Sequence, residues 1–194
     1  MRNIIASIED NEVHMPITLD LIDRNILICL QENARISNVE LADRVGLSPA
    51  PCLRRVAALE RAGVIRQYVT LLDPETMNLG VTVFVQISLD LQADNRLELF
   101  EKEIVKRPEV MECFEMTGDA DYLLKVVVTD VATYERFLRK SLARIEGVAH
   151  TQSSFALKQV KYSTALPLAA EESSQSREQQ HRRTVRKSAR EKLR

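Results

Sequence analysis

Residues 37–62 run Ser37-Asn38-Val39-Glu40-Leu41-Ala42-Asp43-Arg44-Val45-Gly46-Leu47-Ser48-Pro49-Ala50-Pro51-Cys52-Leu53-Arg54-Arg55-Val56-Ala57-Ala58-Leu59-Glu60-Arg61-Ala62. Ser37 and Glu40 have the spacing of a capping box, in which the serine serves the first free amides and the glutamate reaches back. Leu41, Ala42 and Val45 share one helical face. Gly46 suits the left-handed backbone that ends a helix, and Leu47 can fold back as its apolar anchor. A second helix opens at once: Ser48 is a good cap, and Pro49 fits a first turn, where a missing N–H is harmless. Leu53, Val56 and Leu59 supply its apolar positions, and Ala62-Gly63 closes it. Joined by Gly46-Leu47-Ser48 alone, the two helices must cross steeply, and Ala42 is small enough to let them approach.

Upstream, Asp20 can cap a helix that carries Ile22, Ile26, Cys29 and Leu30 at helical spacing, and Asp23 favours its positive N-terminus. The three helices make a helix-turn-helix, whose last member presents its outer face to the DNA major groove. That face is expected to hold Pro51, Arg54, Arg55 and Ala58. Ser48 and the turn that it opens, Pro49, Ala50 and Pro51, can meet a phosphate at the helix N-terminus. Arg54 and Arg55 can make bidentate contacts to guanine or pair with phosphate, while Arg35, Arg61 and Arg66 reach the backbone from the flanks. The same pattern suits a plain three-helix bundle with a solvated charged face, because residues 18–68 hold seven basic and six acidic residues.

Past Val64–Leu72, which reads as short β structure ahead of a turn at Asp73-Pro74, the period changes. Val83, Val85, Ile87, Leu89 and Leu91 alternate with polar or outward residues, the mark of a strand with one apolar face. Asp94 can cap a helix through Leu97, Phe100 and Ile104 that stops before Pro108. Val110–Thr117 and Tyr122–Thr129 read as strands around a Gly118-Asp119-Ala120-Asp121 turn. Asp130 opens a helix closed by Gly147, and Val148–Leu157 is a fourth strand. The order β-α-β-β-α-β is the ferredoxin-like pattern. The fold class is therefore α+β. The expected division is a leader over 1–17, a helix-turn-helix domain with linker over 18–80, a ferredoxin-like module over 81–168 and a disordered basic tail over 169–194.

Thr117-Gly118-Asp119-Ala120-Asp121-Tyr122 is good turn chemistry and needs no other explanation. It also has the makings of a small-molecule site. Two carboxylates can hold an ammonium group and exposed turn amides a carboxylate, which together suit an α-amino acid. A sheet with so apolar a face and two short helices leaves surface to cover, so a homodimer is expected.

The composition is that of an ordinary globular chain: 194 residues, 45% hydrophobic and 28% charged, with 27 basic and 28 acidic residues. That average hides an asymmetry, since Arg177–Arg194 holds eight basic and two acidic residues. Such a polar segment buries too little to offset its ordering entropy. No apolar run is long enough to cross a bilayer, so no membrane role is expected. Cys29, Cys52 and Cys113 are odd in number and widely spaced, which points to a reducing, cytoplasmic setting and no zinc site. Neither a cofactor nor an enzyme is expected: no nucleophile lies near a histidine and no glycine-rich phosphate loop occurs.

Leu19–Leu27, Ala34–Ala42 and Val45–Val56, followed by Thr117–Lys125, closely resemble the leucine-responsive regulatory protein (Lrp/AsnC) family over about residues 18–168. Arg107–Cys113 and Ser153–Tyr162 resemble the branch that includes activators of branched-chain keto acid dehydrogenase operons. The resemblance implies a winged helix-turn-helix that binds double-stranded DNA with residues 48–62. It also implies a C-terminal module that dimerises, often assembles further, and binds a free amino acid near the hairpin. By match to the motif, Gly118, Asp119 and Asp121 are the first effector-site candidates, with Met116, Thr117, Tyr122 and Leu123 around them. Thr151 and Gln152 would come from across an interface. Ala120 stands where a bulkier residue is common, which alters the pocket's shape. The implied function is a DNA-binding transcription regulator responsive to an amino acid and controlling amino-acid metabolism genes. The rival reading is an amino-acid-sensing subunit that regulates an enzyme through protein contacts.

Overall fold

A computed structural model describes residues 18–90 and 96–168. The expected leader and tail, the Asp94 cap and Leu91 lie outside the described residues. Among those described, contacts divide the chain into two units. One is 18–69 together with 162–168, and the other is 70–161.

The first unit holds α1 (Leu21–Glu32), α2 (Asn38–Arg44) and α3 (Pro49–Arg61). The complete capping box sits at α1, not α2. Asp20 accepts from the Asp23 backbone N–H at 2.8 Å, and the Asp23 carboxylate accepts from the Asp20 N–H at 3.3 Å. At α2, Ser37 accepts from Glu40 N–H, but the Glu40 carboxylate turns to Arg44 four residues on. The Ser48 side chain makes no cap bond. Instead Asn38 Nδ2 donates to Pro49 O at 2.8 Å and ties the start of α2 to the start of α3.

The two helix ends expected at glycine in this unit occur. Gly46 has φ +71°, with Leu47 N–H donating to Ala42 O, and Gly63 has φ +70°, with Val64 N–H donating to Leu59 O. These are the paired backbone bonds that close a helix through a left-handed residue. Ile26, Leu27, Leu41, Ala42, Cys52 and Leu59 form the core, with Val56 packed against it. Leu53, expected to face inward, is 58% exposed. Val64–Leu72 forms no strand, and Tyr68, Val69, Leu71 and Leu72 stand exposed. A strand needs a partner for its backbone groups, and the described chain brings none to this segment.

The second unit contains β1 (Val81–Leu89), α4 (Arg96–Ile104), β2 (Val110–Glu115), β3 (Tyr122–Val128), α5 (Val131–Lys140), a single 3₁₀ turn at Leu142–Arg144 and β4 (Val148–Phe155). The strand order is β2-β3-β1-β4 and every pairing is antiparallel. This is the ferredoxin-like arrangement that the element order implied. Val83, Val85, Ile87 and Leu89 of β1 pack with Tyr122, Leu124, Val126 and Val128 of β3 and with Phe100, Ile104, Tyr134 and Phe137 of the helices. Asp130 caps α5 by accepting from Thr133 N–H at 2.6 Å. That bond, more than its side-chain contacts to Thr129 and Thr133, holds the Asp130 carboxyl below its usual range. The expected closure at Gly147 does not hold: α5 ends at Lys140 with Ser141 as its C-cap, and Gly147, at φ +88°, turns the chain into β4 instead.

Candidate DNA-reading face and effector hairpin

Periodicity alone sorts the residues of α3. Cys52 and Leu59 are buried and Val56 half-buried, while Ala50, Arg54, Ala58 and Arg61 lie on the opposite side and, with Pro49 in the first turn and Leu53 on the flank, are all exposed. Ser48 is exposed just ahead of them and Pro51 is half-buried. Among the described residues the Arg54 guanidinium forms no ion pair or hydrogen bond, so its donors are available. Leu53 was missed as a surface residue because a leucine in an amphipathic helix reads as core. The signal that could have found it is angular, since Leu53 lies about 100° from Cys52 and falls between Pro49 and Ala57.

Arg55 is placed differently from Arg54. Its Nη1 donates to Asp20 Oδ2 and to Asp23 Oδ1, both at 2.7 Å. The two carboxylates of the α1 capping box thus hold the middle of α3. They raise the Arg55 pKa, chiefly through the Asp23 and then the Asp20 hydrogen bond. Asp20 in turn is held below the usual carboxylate range, first by the Asp23 backbone N–H and also by Arg55. The expectation that Arg54 and Arg55 share one outward face therefore needs correction: adjacent residues on a helix point about 100° apart. Arg35 is exposed beyond α1, where its backbone N–H donates to Asn33 Oδ1. The Cys52 thiol is pushed up by burial, which leaves it protonated and unreactive near neutrality.

At the hairpin between β2 and β3, Gly118 has φ +130°, a conformation that only glycine adopts freely. Asp121 builds the turn. Its N–H donates to Ile87 O at 2.8 Å, its carbonyl accepts from Met116 N–H at 2.8 Å, and its Oδ2 accepts from Leu89 N–H at 2.6 Å. One carboxylate oxygen is therefore spent on pinning the hairpin to the end of β1. Asp119 is exposed, and its carboxylate has no partner among the described residues; only its carbonyl is engaged, by Ser88 Oγ at 3.3 Å. Met116 and Thr117 are exposed beside it.

The strand alternation splits the remaining candidates. Glu115 pairs with Tyr122, Tyr122 with Ile87 and Ile87 with Thr151, a row on the face that the helices cover. Tyr122 is buried there, its hydroxyl donating to Glu101 Oε1 at 2.8 Å and its ring 4.6 Å from that of Phe100. Burial and that hydrogen bond push the phenol well above its ordinary pKa. Phe114, Leu123, Gln86 and Gln152 make the next row, on the opposite face. Leu123 and Gln152 thus share the uncovered face of the sheet, whereas Tyr122 and Thr151 face inward. Reading neighbours in sequence as neighbours in a site overlooked the two-residue period. One row along, Lys125 Nζ meets Glu112 Oε1 at 2.6 Å beside Phe84, which is 40% exposed. Among the described residues no group of three His, Cys, Asp or Glu could hold a metal ion.

Residues 19–66 match the winged helix-turn-helix DNA-binding model, and residues 82–166 match the Lrp/AsnC ligand-binding domain. The chain is 49% identical over 150 residues to the Bkd operon transcriptional regulator of Pseudomonas aeruginosa, covering 77% of this chain and 98% of that one. The chain belongs to the Lrp/AsnC family. This regulator is also 47% identical over 148 residues to the leucine-responsive regulatory protein of Escherichia coli K12, covering 76% of this chain and 90% of that one. Among solved structures, it is similar to a Neisseria meningitidis transcriptional regulator in complex with L-methionine. The TM-score is 0.75 with 48% identity, over 78% of this chain and 97% of that one. The AsnC structure of E. coli gives a TM-score of 0.71 at 26% identity, over 77% and 99%. The head-and-body plan read from the sequence is thus that of an amino-acid-responsive, DNA-binding transcription regulator.

Proposed function

We propose that this regulator reads double-stranded DNA in the major groove with the outward side of α3, and that a free amino acid bound at the hairpin face alters how its copies assemble. The observation that carries the reading is the division of labour on α3. Arg54, exposed and without a partner among the described residues, stands among small or apolar exposed residues suited to groove contact, while Arg55 anchors the helix from within. Arg54 suits guanine or phosphate, and Leu53 and Ala50 suit a thymine methyl. Ser48 and the first turn, Pro49 to Pro51, face the phosphate, and Arg35 reaches the backbone from the side.

The hairpin supplies complementary chemistry for an α-amino acid. Asp119 offers a free carboxylate to the ammonium group, Gly118 leaves backbone open to the carboxylate, and Met116, Thr117 and Leu123 offer walls. Asp121 holds that arrangement in place. The complex of the Neisseria relative with L-methionine favours an effector with an apolar side chain. The exposed sheet face around Phe84, Phe114 and Leu123 is best covered by a second copy, which makes a homodimer and brings Gln152 of each copy near the interface. Two copies also match two operator half-sites. Effector and assembly are coupled because a ligand shifts an equilibrium only by its differential affinity for the two states. The regulator acts in the cytoplasm, on genes of amino-acid metabolism, and catalyses no reaction.

Salt-titrated binding of the full chain to its own upstream DNA and to random duplex, with and without each free amino acid, tests this. The expected result is specific binding that one class of amino acid shifts. A chain with no duplex affinity at any salt would overturn the reading in favour of a subunit that regulates an enzyme through protein contacts.

A further inference from the structure

The end of the sheet beside the hairpin carries polar side chains that the fold itself does not use. Val83, Val85, Ile87 and Leu89 of β1 point to the helices, so Gln86 and Ser88 point to the uncovered side. On β4 their Cα partners are Gln152 and His150, which share that side. Ser88 Oγ donates to Asp119 O at 3.3 Å, which brings the hairpin tip to the same corner. His150 is exposed and is the one histidine among the described residues. Among those residues its ring forms no hydrogen bond or ion pair. The same holds for the Gln86 and Gln152 amides and the Asp119 carboxylate.

His150 reaches this side through an irregularity in β4. Leu89 pairs with Val148 and Ser88 with His150, so Ala149 is an extra residue, a β-bulge. Counted on from Val148 without it, His150 would stand opposite Ile87 and point to the helices. A bulge interrupts the ladder and re-aims a side chain. Here it sets an imidazole beside Ser88 on the uncovered face, where the ring takes no part in the core.

The corner has two ends of opposite chemistry. The Asp121 N–H on Ile87 O keeps the hairpin alongside β1, and β4 flanks β1 on its other edge. Neighbouring strands lie about 4.8 Å apart, so the hairpin and β4 are about 10 Å apart across Ser88. A carboxylate entering from one side and an imidazole from the other leave room between them for the zwitterionic end of one amino acid. Asp119 suits the ammonium group. A histidine ring donates an N–H to a carboxylate in its neutral as in its charged form. Gln152, two residues along β4 on the same face, adds amide donors. Further along, Leu123, Phe84 and Phe114 make the face apolar, which suits an uncharged side chain.

We propose that His150 binds the carboxylate of the amino-acid effector from β4, opposite the turn backbone at Gly118, while Asp119 binds its ammonium group and Ser88 forms the floor between them. The effector's two charged ends then bridge β4 to the hairpin over the end of β1, and a ligand without a carboxylate cannot complete the bridge. This rests on the reading of the hairpin as the effector site.

The test is calorimetric titration of the full chain, unsubstituted and with His150→Ala or His150→Gln. The probes are L-methionine, L-leucine and the amine that each yields by loss of its carboxylate as carbon dioxide. His150→Ala removes a hydrogen bond to a charged group, so both amino acids are expected to bind about 10- to 100-fold more weakly. The amines are expected to show the same affinity, or the same lack of it, with both proteins. His150→Gln keeps an N–H donor and is expected to recover part of the loss. In NMR, the His150 ring resonances, assigned by their absence from His150→Ala, are expected to shift with L-methionine and not with its amine. Hydrogen-exchange protection of β1 and β4 is expected to stay unchanged in both variants. Unaltered amino-acid affinity in His150→Ala would overturn the proposal. So would an equal loss for amino acids and amines, the result expected of a histidine that shapes the sheet or meets a second copy. No heat from either amino acid on the unsubstituted chain would instead defeat the apolar-effector reading on which the proposal rests.

Discussion

Replacing Arg55 with alanine removes a side chain that joins the α1 capping box to the middle of α3. Two hydrogen-bonded ion pairs of 2.7 Å disappear together. The guanidinium is 34% exposed, Asp20 50% and Asp23 17%, so the pairs sit at the border between solvent-screened and shielded. Exposed pairs contribute about 0.2–1 kcal/mol each, and the shielding of Asp23 places this pair toward the upper end. The expected loss is about 1–2 kcal/mol, a factor of 5–30 in an opening equilibrium. Native-state hydrogen exchange on the full chain is the suitable assay, because a global melt would mix two units. Protection of the α1 and α3 amides should fall by that factor, while β1 and β3 stay unchanged. DNA affinity should fall with it, yet the salt slope should not change, since Arg55 touches no phosphate. A loss of about 0.9 in slope with unchanged protection would refute the reasoning and make Arg55 a direct DNA contact. The clamp also has an acid limit. The Asp20 carboxyl is held below its usual range in the folded chain, so its contribution is complete above about pH 4 and fades as the pH falls through the depressed folded value.

Arg54→Ala should show the opposite signature: unchanged exchange protection, a shallower salt slope, and a loss of about 1–3 kcal/mol on operator if the guanidinium forks onto guanine, read by gel shift. Asp119→Ala should reduce the calorimetric heat of amino-acid binding without altering stability. Asp121→Ala should reduce that heat and also raise exchange at the Leu89 amide, whose acceptor it removes; retained heat in both would move the site away from the hairpin. Gly46→Val, which forces a branched residue into φ +71°, should cost more than about 1 kcal/mol in the head and weaken DNA binding, seen as loss of protection in α2 and α3.

How much of this was legible beforehand depended on the range of the interaction involved. The alternation Val83-Val85-Ile87-Leu89 announced a strand and its buried face, because side-chain direction in a strand is a local property. The two glycine stops were equally readable, since a left-handed residue closes a helix through bonds only a few positions long. The capping box was assigned to Ser37, although Asp20 and Asp23 carry the reciprocal pair. Glu40 had a second local option in Arg44, and local pattern could not decide between them. Arg55 was misread for a different reason: its partners lie 32 and 35 positions away, beyond any local signal. Tyr122 was a candidate by its place in the hairpin motif and Thr151 as a contribution from across an interface, and the pleat turns both inward. The docking of Leu166 on Gln31 spans 135 positions and left no trace in sequence at all.

The orientation of α3 is settled almost entirely by parts that never meet a groove: a glycine bend at either end, the Asn38 amide on Pro49 O, and the arginine on its inner flank. Its solvent side is consequently released from any duty to the fold. On the proposed reading of α3, substitutions at 50, 53, 54 and 58 are expected to retarget such a regulator to a new promoter at little thermodynamic penalty, which would give duplicated copies of its gene a short path to separate regulons.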